Sequence, residues 1–224
     1  MLLLAFDTAT PAVTVALHDG SRVVAEESAV DARRHGELLA VAIEKVLRSA
    51  GATERELTSI AVGTGPGPYT GLRAGLVTAT VLASALGIPA DGICTLDVLA
   101  AAAAAAADGD FLVATDARRR EVYWARYDRN GQRLDGPYVG KPAELPAGLP
   151  VAGEGAALYP ELAAHVLQPR YPSAAQLAAL AASRQAAGEP PARPEPLYLR
   201  RPDAREPGPL KRVTEPRPAA GRTR

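Results

Sequence analysis

The 224-residue chain has a single cysteine, Cys94, so it can form neither an internal disulfide nor a cysteine-based zinc site. That scarcity fits a reducing cytosol. Neither charge is in excess: Lys and Arg total 25, Asp and Glu total 25, and the net charge is zero. A free-standing nucleic-acid-binding domain usually carries a basic surplus, so any nucleic acid is expected to be held mainly by another chain. Long hydrophobic runs are also missing. The longest uncharged apolar stretch, Val98 through Ala107, is far short of the roughly 20 residues of a membrane span. Met1–Asp7 lacks the basic flank and the length of a secretory signal. The expectation is a cytoplasmic protein without membrane attachment.

What is present is globular. Hydrophobic residues make up 47% of the chain and charged residues 22%, values that support a packed core. Leu2–Phe6 is a continuous apolar run of strand length, the type buried on both faces. Two short strand patterns, Val13–Leu17 and Arg22–Glu26, flank Asp19-Gly20, a hairpin signal. The periodicity then predicts helices over 33–50, 71–86 and 96–107, with Gly51 and Gly87 as stops. A short strand, Ile60–Val62, precedes the second of these.

The pattern restarts 109 residues later. At that offset Ala5 matches Ala114, Asp7 matches Asp116, Val13 matches Val122, Ala16 matches Ala125 and Asp19 matches Asp128. Each half opens with a strand ending in Asp, a short loop and a hairpin, which points to a duplication. Helices are predicted over 161–167 and 173–187, with a last strand at Leu197–Leu199. The expected division is 1–107, 108–204 and a basic, Pro-rich tail at 205–224. That tail lacks large apolar side chains, and disorder is expected there.

Strand-terminal aspartates in both halves are where actin-like ATPases and sugar kinases hold metal and phosphates. Such sites also need exposed amides in glycine-containing loops. Here the loops are Thr8-Ala9-Thr10-Pro11 and Ala117-Arg118-Arg119-Arg120, without glycine. Asp7, Thr8 and Asp116 are therefore read as a vestigial phosphate site. Gly63–Gly71 fits neither a P-loop nor a dinucleotide fingerprint. Its glycines continue as Gly67, Gly71, Gly75, Ala79 and Ala83, a small-residue row at four-residue spacing. Such a row serves either packing within the subunit or a helix seam with a partner. No His-x-x-x-His pair exists, and no serine–histidine–acid set can be assembled, so no catalytic residue, metal site or cofactor is assigned.

Several of these segments together resemble one family: Asp7-Thr8-Ala9-Thr10, His35-Gly36-Glu37-Leu38-Leu39, the block Gly65–Arg73, Asp116-Ala117-Arg118-Arg119-x-Glu121-Val122-Tyr123 and Tyr198-Leu199-Arg200. They are similar to TsaB proteins over about 1–204. The resemblance implies an α/β protein with a duplicated actin-like (ASKHA, ribonuclease H-like) fold, two related subdomains with mixed sheets flanked by helices. It implies a non-catalytic subunit of the bacterial complex that forms threonylcarbamoyladenosine on tRNA beside the anticodon. The implied partners are the catalytic paralogue TsaD and the ATPase TsaE, or a second copy when TsaD is absent, with tRNA met only indirectly. TsaD-like chains carry two metal-binding histidines after the equivalent helix; the same count lands here on Thr95 and Leu99. Neither binds a metal as imidazole does. The expected partner surface comprises His35, Leu38, Leu39 and Ile43 on the first helix with Gly71, Leu72, Arg73, Gly75, Leu76 and Ala79 on the second. Overpacking at Gly75 or Ala79 is expected to block association and spare the fold. The competing reading is an actin-like ATP-dependent enzyme using Asp7 and Asp116 with a metal.

Overall fold

A computed structural model describes residues 1–162 and 164–200, so the tail expected at 205–224 lies outside the described residues. The first half runs β1 (Leu3–Asp7), β2 (Ala12–His18), β3 (Val23–Val30), α1 (His35–Ser49), β4 (Ser59–Gly63), α2 (Tyr69–Leu86), β5 (Ala90–Ile93) and α3 (Thr95–Ala103). The second runs β6 (Phe111–Asp116), β7 (Val122–Tyr127), β8 (Arg133–Gly140), β9 (Val151–Ala152), α4 (Glu154–Leu158), β10 (Val166–Leu167) and α5 (Ala174–Ala186). The strands form two five-stranded sheets of the same order, β3-β2-β1-β4-β5 and β8-β7-β6-β9-β10. In each, the first three strands are antiparallel and the last three parallel. This is a duplicated actin-like α/β fold.

The correspondence departs from the constant 109 offset in one respect. Leu4 pairs with Ile60 and faces α1 and α2, whereas Leu112 pairs with Val151 and faces α4. Ala5 and Ala61 share the opposite face, as do Val113 and Ala152. Matching faces therefore sets β1 against β6 at an offset of 108, and Thr115, not Asp116, takes the place of Asp7. The cause is the turn: six residues separate the register partners Asp7 and Thr14, but seven separate their counterparts Thr115 and Tyr123, so the second turn carries one extra residue. A one-residue difference sends a side chain to the other face of a sheet.

The division at 107 follows the chain rather than the cores. Leu96, Leu99, Ala100 and Ala103 of α3 pack on Phe111, Val113 and Tyr127 of the second sheet. Leu177, Ala178 and Ala181 of α5 cross back onto Leu3, Ala5 and Ala61 of the first. Each half thus lends a helix to the other, with apolar burial holding the pair together. The helix expected over 161–167 is instead a 3-10 turn at Pro160–Leu162 followed by β10. Leu197–Leu199 pairs with no ladder; the Leu197 amide bonds the Thr64 carbonyl at 2.9 Å.

Candidate functional site

The loops at the C-terminal ends of β1, β4 and β6 meet at one end of the molecule. Asp7, with 0% of its surface exposed, is wholly engaged there. Its Oδ1 accepts the Ala9 amide at 2.7 Å and its Oδ2 accepts the Thr95 hydroxyl at 2.7 Å. Thr95 in turn accepts the Gly65 amide at 3.1 Å. Burial pushes the Asp7 carboxyl above the usual carboxylate range; the Thr95 hydroxyl, the Ala9 amide and the His35 charge pull against it. Thr8 donates to the Gly71 carbonyl at 2.7 Å and accepts the Gly75 amide at 3.1 Å. Asp7 and Thr8 thereby clamp the starts of α3 and α2 to β1.

These contacts consume the small-residue row. A Cβ on Gly67 would collide with the Ala9 carbonyl, one on Gly71 would stand 2.6 Å from the Thr8 carbonyl, and one on Gly75 2.5 Å from the Thr8 hydroxyl. His35 completes the arrangement by donating from Nε2 to the Thr10 carbonyl at 2.9 Å. Most of the expected partner surface is thereby taken up inside the subunit. Leu39, Ile43, Gly71, Leu72, Gly75, Leu76 and Ala79 are buried within the subunit. Leu38 and His35 are half-buried, and of the ten residues only Arg73 is exposed.

The exposed face of α2 lies two residues out of step with that row: Tyr69, Arg73, Val77 and Val81. Residues two apart sit about 200° around a helix, so this row is on the side opposite the glycines. Val77 and Val81 are each 59% exposed, and Tyr69 is 48% exposed. Sequence reasoning named Arg73 of this row but passed over Tyr69 and Val81, although the same four-residue spacing marks the whole row. Its groove, about 510 Å³, is also lined by Leu76, Thr80, Pro196 and Tyr198.

Pro196 and Tyr198 belong to a strap over 190–200 that runs from β5 to the second half. The Gly92 amide bonds the Ala192 carbonyl at 2.8 Å, and the Ala192 amide bonds Asp91. The Tyr198 ring stacks on Tyr69 with centroids 5.3 Å apart, and its hydroxyl accepts from Arg73 Nε at 3.2 Å. Arg200 then binds the Ala117 carbonyl and the Glu121 carboxylate. Beyond Tyr198 opens a second cleft, also about 510 Å³, between Gly67–Tyr69 and Ala117–Arg119.

Asp116, just before the cleft-lining Ala117, is not poised for metal. Its Oδ1 accepts the Arg118 amide at 2.7 Å and its Oδ2 pairs with the Arg118 guanidinium at 3.0 Å. Both carboxylates have their oxygens occupied by protein groups, and the two point from opposite sheet faces. This arrangement does not fit a metal–nucleotide site that uses Asp7 with Asp116. Thr95 and Leu99 are buried in the core. Among the described residues no His, Cys, Asp and Glu cluster could hold a metal ion, and no helix is long and apolar enough to cross a membrane.

Comparison with known proteins places these features. A family model described as "TsaD: tRNA N6-adenosine threonylcarbamoyltransferase" matches residues 23–188. An uncharacterized protein of Mycobacterium tuberculosis is 47% identical over 210 residues, covering 91% of this chain and 93% of that one. The tRNA threonylcarbamoyladenosine biosynthesis protein TsaB of Escherichia coli is 36% identical over 131 residues, covering 58% of this chain and 56% of that protein. Among solved structures, a Pseudomonas aeruginosa protein described as similar to peptidase YEAZ superposes with a TM-score of 0.78 at 30% identity, covering 89% of this chain and 99% of that one. YeaZ from the same organism gives 0.77 at 29% identity, covering 88% of this chain and 99% of that one.

Proposed function

The chain belongs to the TsaB/YeaZ family, and from that premise we propose that it serves in tRNA threonylcarbamoyladenosine biosynthesis as a non-catalytic subunit. In this reading it binds and activates a TsaD-type catalytic paralogue in the cytoplasm, together with a TsaE-type ATPase, and self-associates when the paralogue is absent. The observation that carries the reading is the two-sided α2. One side, Gly71, Gly75 and Ala79, is spent on the subunit's own β1 loop and sheet. The other leaves Tyr69, Val77 and Val81 exposed beside Arg73, an apolar patch with a charged edge of the sort that marks a protein interface. Val41 on α1 is also 50% exposed. The engaged carboxylates of Asp7 and Asp116 support a non-catalytic role over an ATP-dependent one.

The test is reconstitution. Threonylcarbamoyl transfer to an unmodified tRNA transcript is measured with this chain alone, with the TsaD-type and TsaE-type proteins, and with all three. The expected result is transfer only in the complete mixture. Transfer by this chain alone, or full transfer without it, overturns the reading, and so does ATP binding by the isolated chain in calorimetry.

A further inference from the structure

Arg73 is the only charged residue of α2, and it stands in the exposed row without an acid to pair with. Its Nε donates to the Tyr198 hydroxyl at 3.2 Å, and its guanidinium lies 3.7 Å from the centre of the Tyr69 ring. Among the described residues nothing else engages it, so the rest of its fork of N–H donors is unspent. The two tyrosines are stacked on each other and hold that fork in place at the surface. Part of the side-chain entropy that an arginine loses on pairing is therefore lost beforehand. Along the same row Val77 and Val81 follow at about 6 Å per step. Together with Thr80 and Pro196 they line one groove with Arg73.

A cation fixed beside an apolar groove restricts what can cover it. Uncharged groups would strip its water without replacing it, which is costly. A carboxylate meets the fork in bidentate geometry. The geometry points to a partner helix that presents a carboxylate to Arg73 and apolar side chains to Val77 and Val81, spaced along it at intervals of about three or four residues. Resting on the function proposed above, this adds the chemistry of the partner: a TsaD-type protein whose docking helix carries that acid. A second copy of this chain does not offer one. In α1, Glu37 is paired with Arg34 and Glu44 with Arg48, and α2 has no acid. Self-association through this face therefore leaves Arg73 either uncovered or buried without a partner. Arg73 is the residue that makes the face prefer the acidic paralogue to another copy.

The experiment measures both associations for the same full-length variants. Calorimetry gives the affinity for the TsaD-type protein from about 50 to 300 mM salt, and sedimentation equilibrium gives self-association. Arg73→Leu should weaken the mixed complex about tenfold at low salt, flatten its salt dependence, and tighten self-association about threefold or more. Arg73→Glu should weaken the mixed complex about 100-fold, because two acids then face each other. Arg73→Lys should restore part of the affinity and the salt dependence, which a role confined to steadying the strap does not predict. Mixed binding of Arg73→Leu equal to wild type at every salt concentration, in a complex whose transfer still requires the chain, overturns this inference and leaves the proposed function standing. Self-association that weakens along with the mixed complex overturns the selectivity, because the acid is then one that a second copy supplies. A full chain with Asp203→Asn, Glu206→Gln and Glu215→Gln tests the remaining source. If the salt dependence vanishes in it, the acid belongs to this chain and the proposal falls. No mixed complex with the wild-type chain overturns this inference and the proposed function together.

Discussion

The Thr8 hydroxyl accepts the Gly75 amide at 3.1 Å from a position only 2.5 Å from where a Cβ on Gly75 would stand. The glycine is thus required by the subunit's own interior. Gly75→Leu is expected to destabilise the fold itself, by about 3 kcal/mol or more, because it adds overpacking to the loss of a buried hydrogen bond. Circular dichroism during urea unfolding measures this. A Gly75→Leu protein as stable as wild type would show that the loop of Thr8 can move aside.

Association should instead respond to the opposite side of α2. Val77→Glu and Val81→Glu place a charge where an apolar contact is proposed, and both positions are exposed enough to leave the fold unperturbed. Each should weaken binding to the TsaD-type protein about 30-fold or more, the effect typical of a central interface residue. The melting temperature should stay within error. Gel filtration combined with calorimetry tells the outcomes apart, and two glutamate variants that bind like wild type would place the interface elsewhere.

The small-residue row is taken up inside the subunit for a reason that no local signal in α2 carries. A four-residue repeat of small side chains reports close approach by something, but its partner here is the turn carrying Thr8 and Ala9, about 60 residues away along the chain. Nothing local to α2 distinguishes that turn from another subunit. The repeat of larger residues, Tyr69 to Val81, was visible yet reads by default as core. Long buried strands such as Leu3–Asp7 and helices with capped ends were legible because their signals are local; Gly87, at φ 67°, ends α2 as expected. The two-residue strands Val151–Ala152 and Val166–Leu167 were not, since they exist only through their pairing. The duplication was legible too. Only the one extra residue in the turn between β6 and β7 displaced Asp116 from the position of Asp7.

Asp7 gives a pH signature. Its carboxyl is raised in the folded chain by burial, so over the window above the ordinary carboxylate value the native state holds a proton that the unfolded chain releases. The resulting stability is fully present below the unfolded value, near 3.9, and is lost as pH rises through the folded value. Asp7→Asn removes that dependence while retaining an oxygen for the Ala9 amide. The difference in unfolding free energy between variant and wild type should therefore shift toward the variant as pH climbs from about 4 to 7. A difference that stays flat with pH, or runs the other way, would mean the carboxylate is stabilised by its donors more than burial penalises it.

Among the strap's anchors is Tyr198, which separates the groove on α2 from the cleft beside Arg118. Its ring lies on Tyr69 with planes 26° apart, and its hydroxyl receives Arg73, whose guanidinium also covers the Tyr69 ring. Three side chains from two segments therefore share one stack. Aromatic pairs contribute about 0.5 to 1.5 kcal/mol beyond area burial; at roughly half exposure the lower part of that range applies here. A double-mutant cycle of Tyr69→Ala and Tyr198→Ala isolates the coupling, because each change alone also removes contacts with Arg73. Urea unfolding of the four proteins should return a coupling of about 0.5 to 1 kcal/mol. The cycle is then repeated with Arg73→Ala in every protein, where the coupling should fall, since the guanidinium holds both rings in register. A coupling of zero would mean that the strap is held by its bonds to Thr64, Gly92, Asp91, Ala117 and Glu121, and that Tyr198 is free to leave the wall between the two grooves.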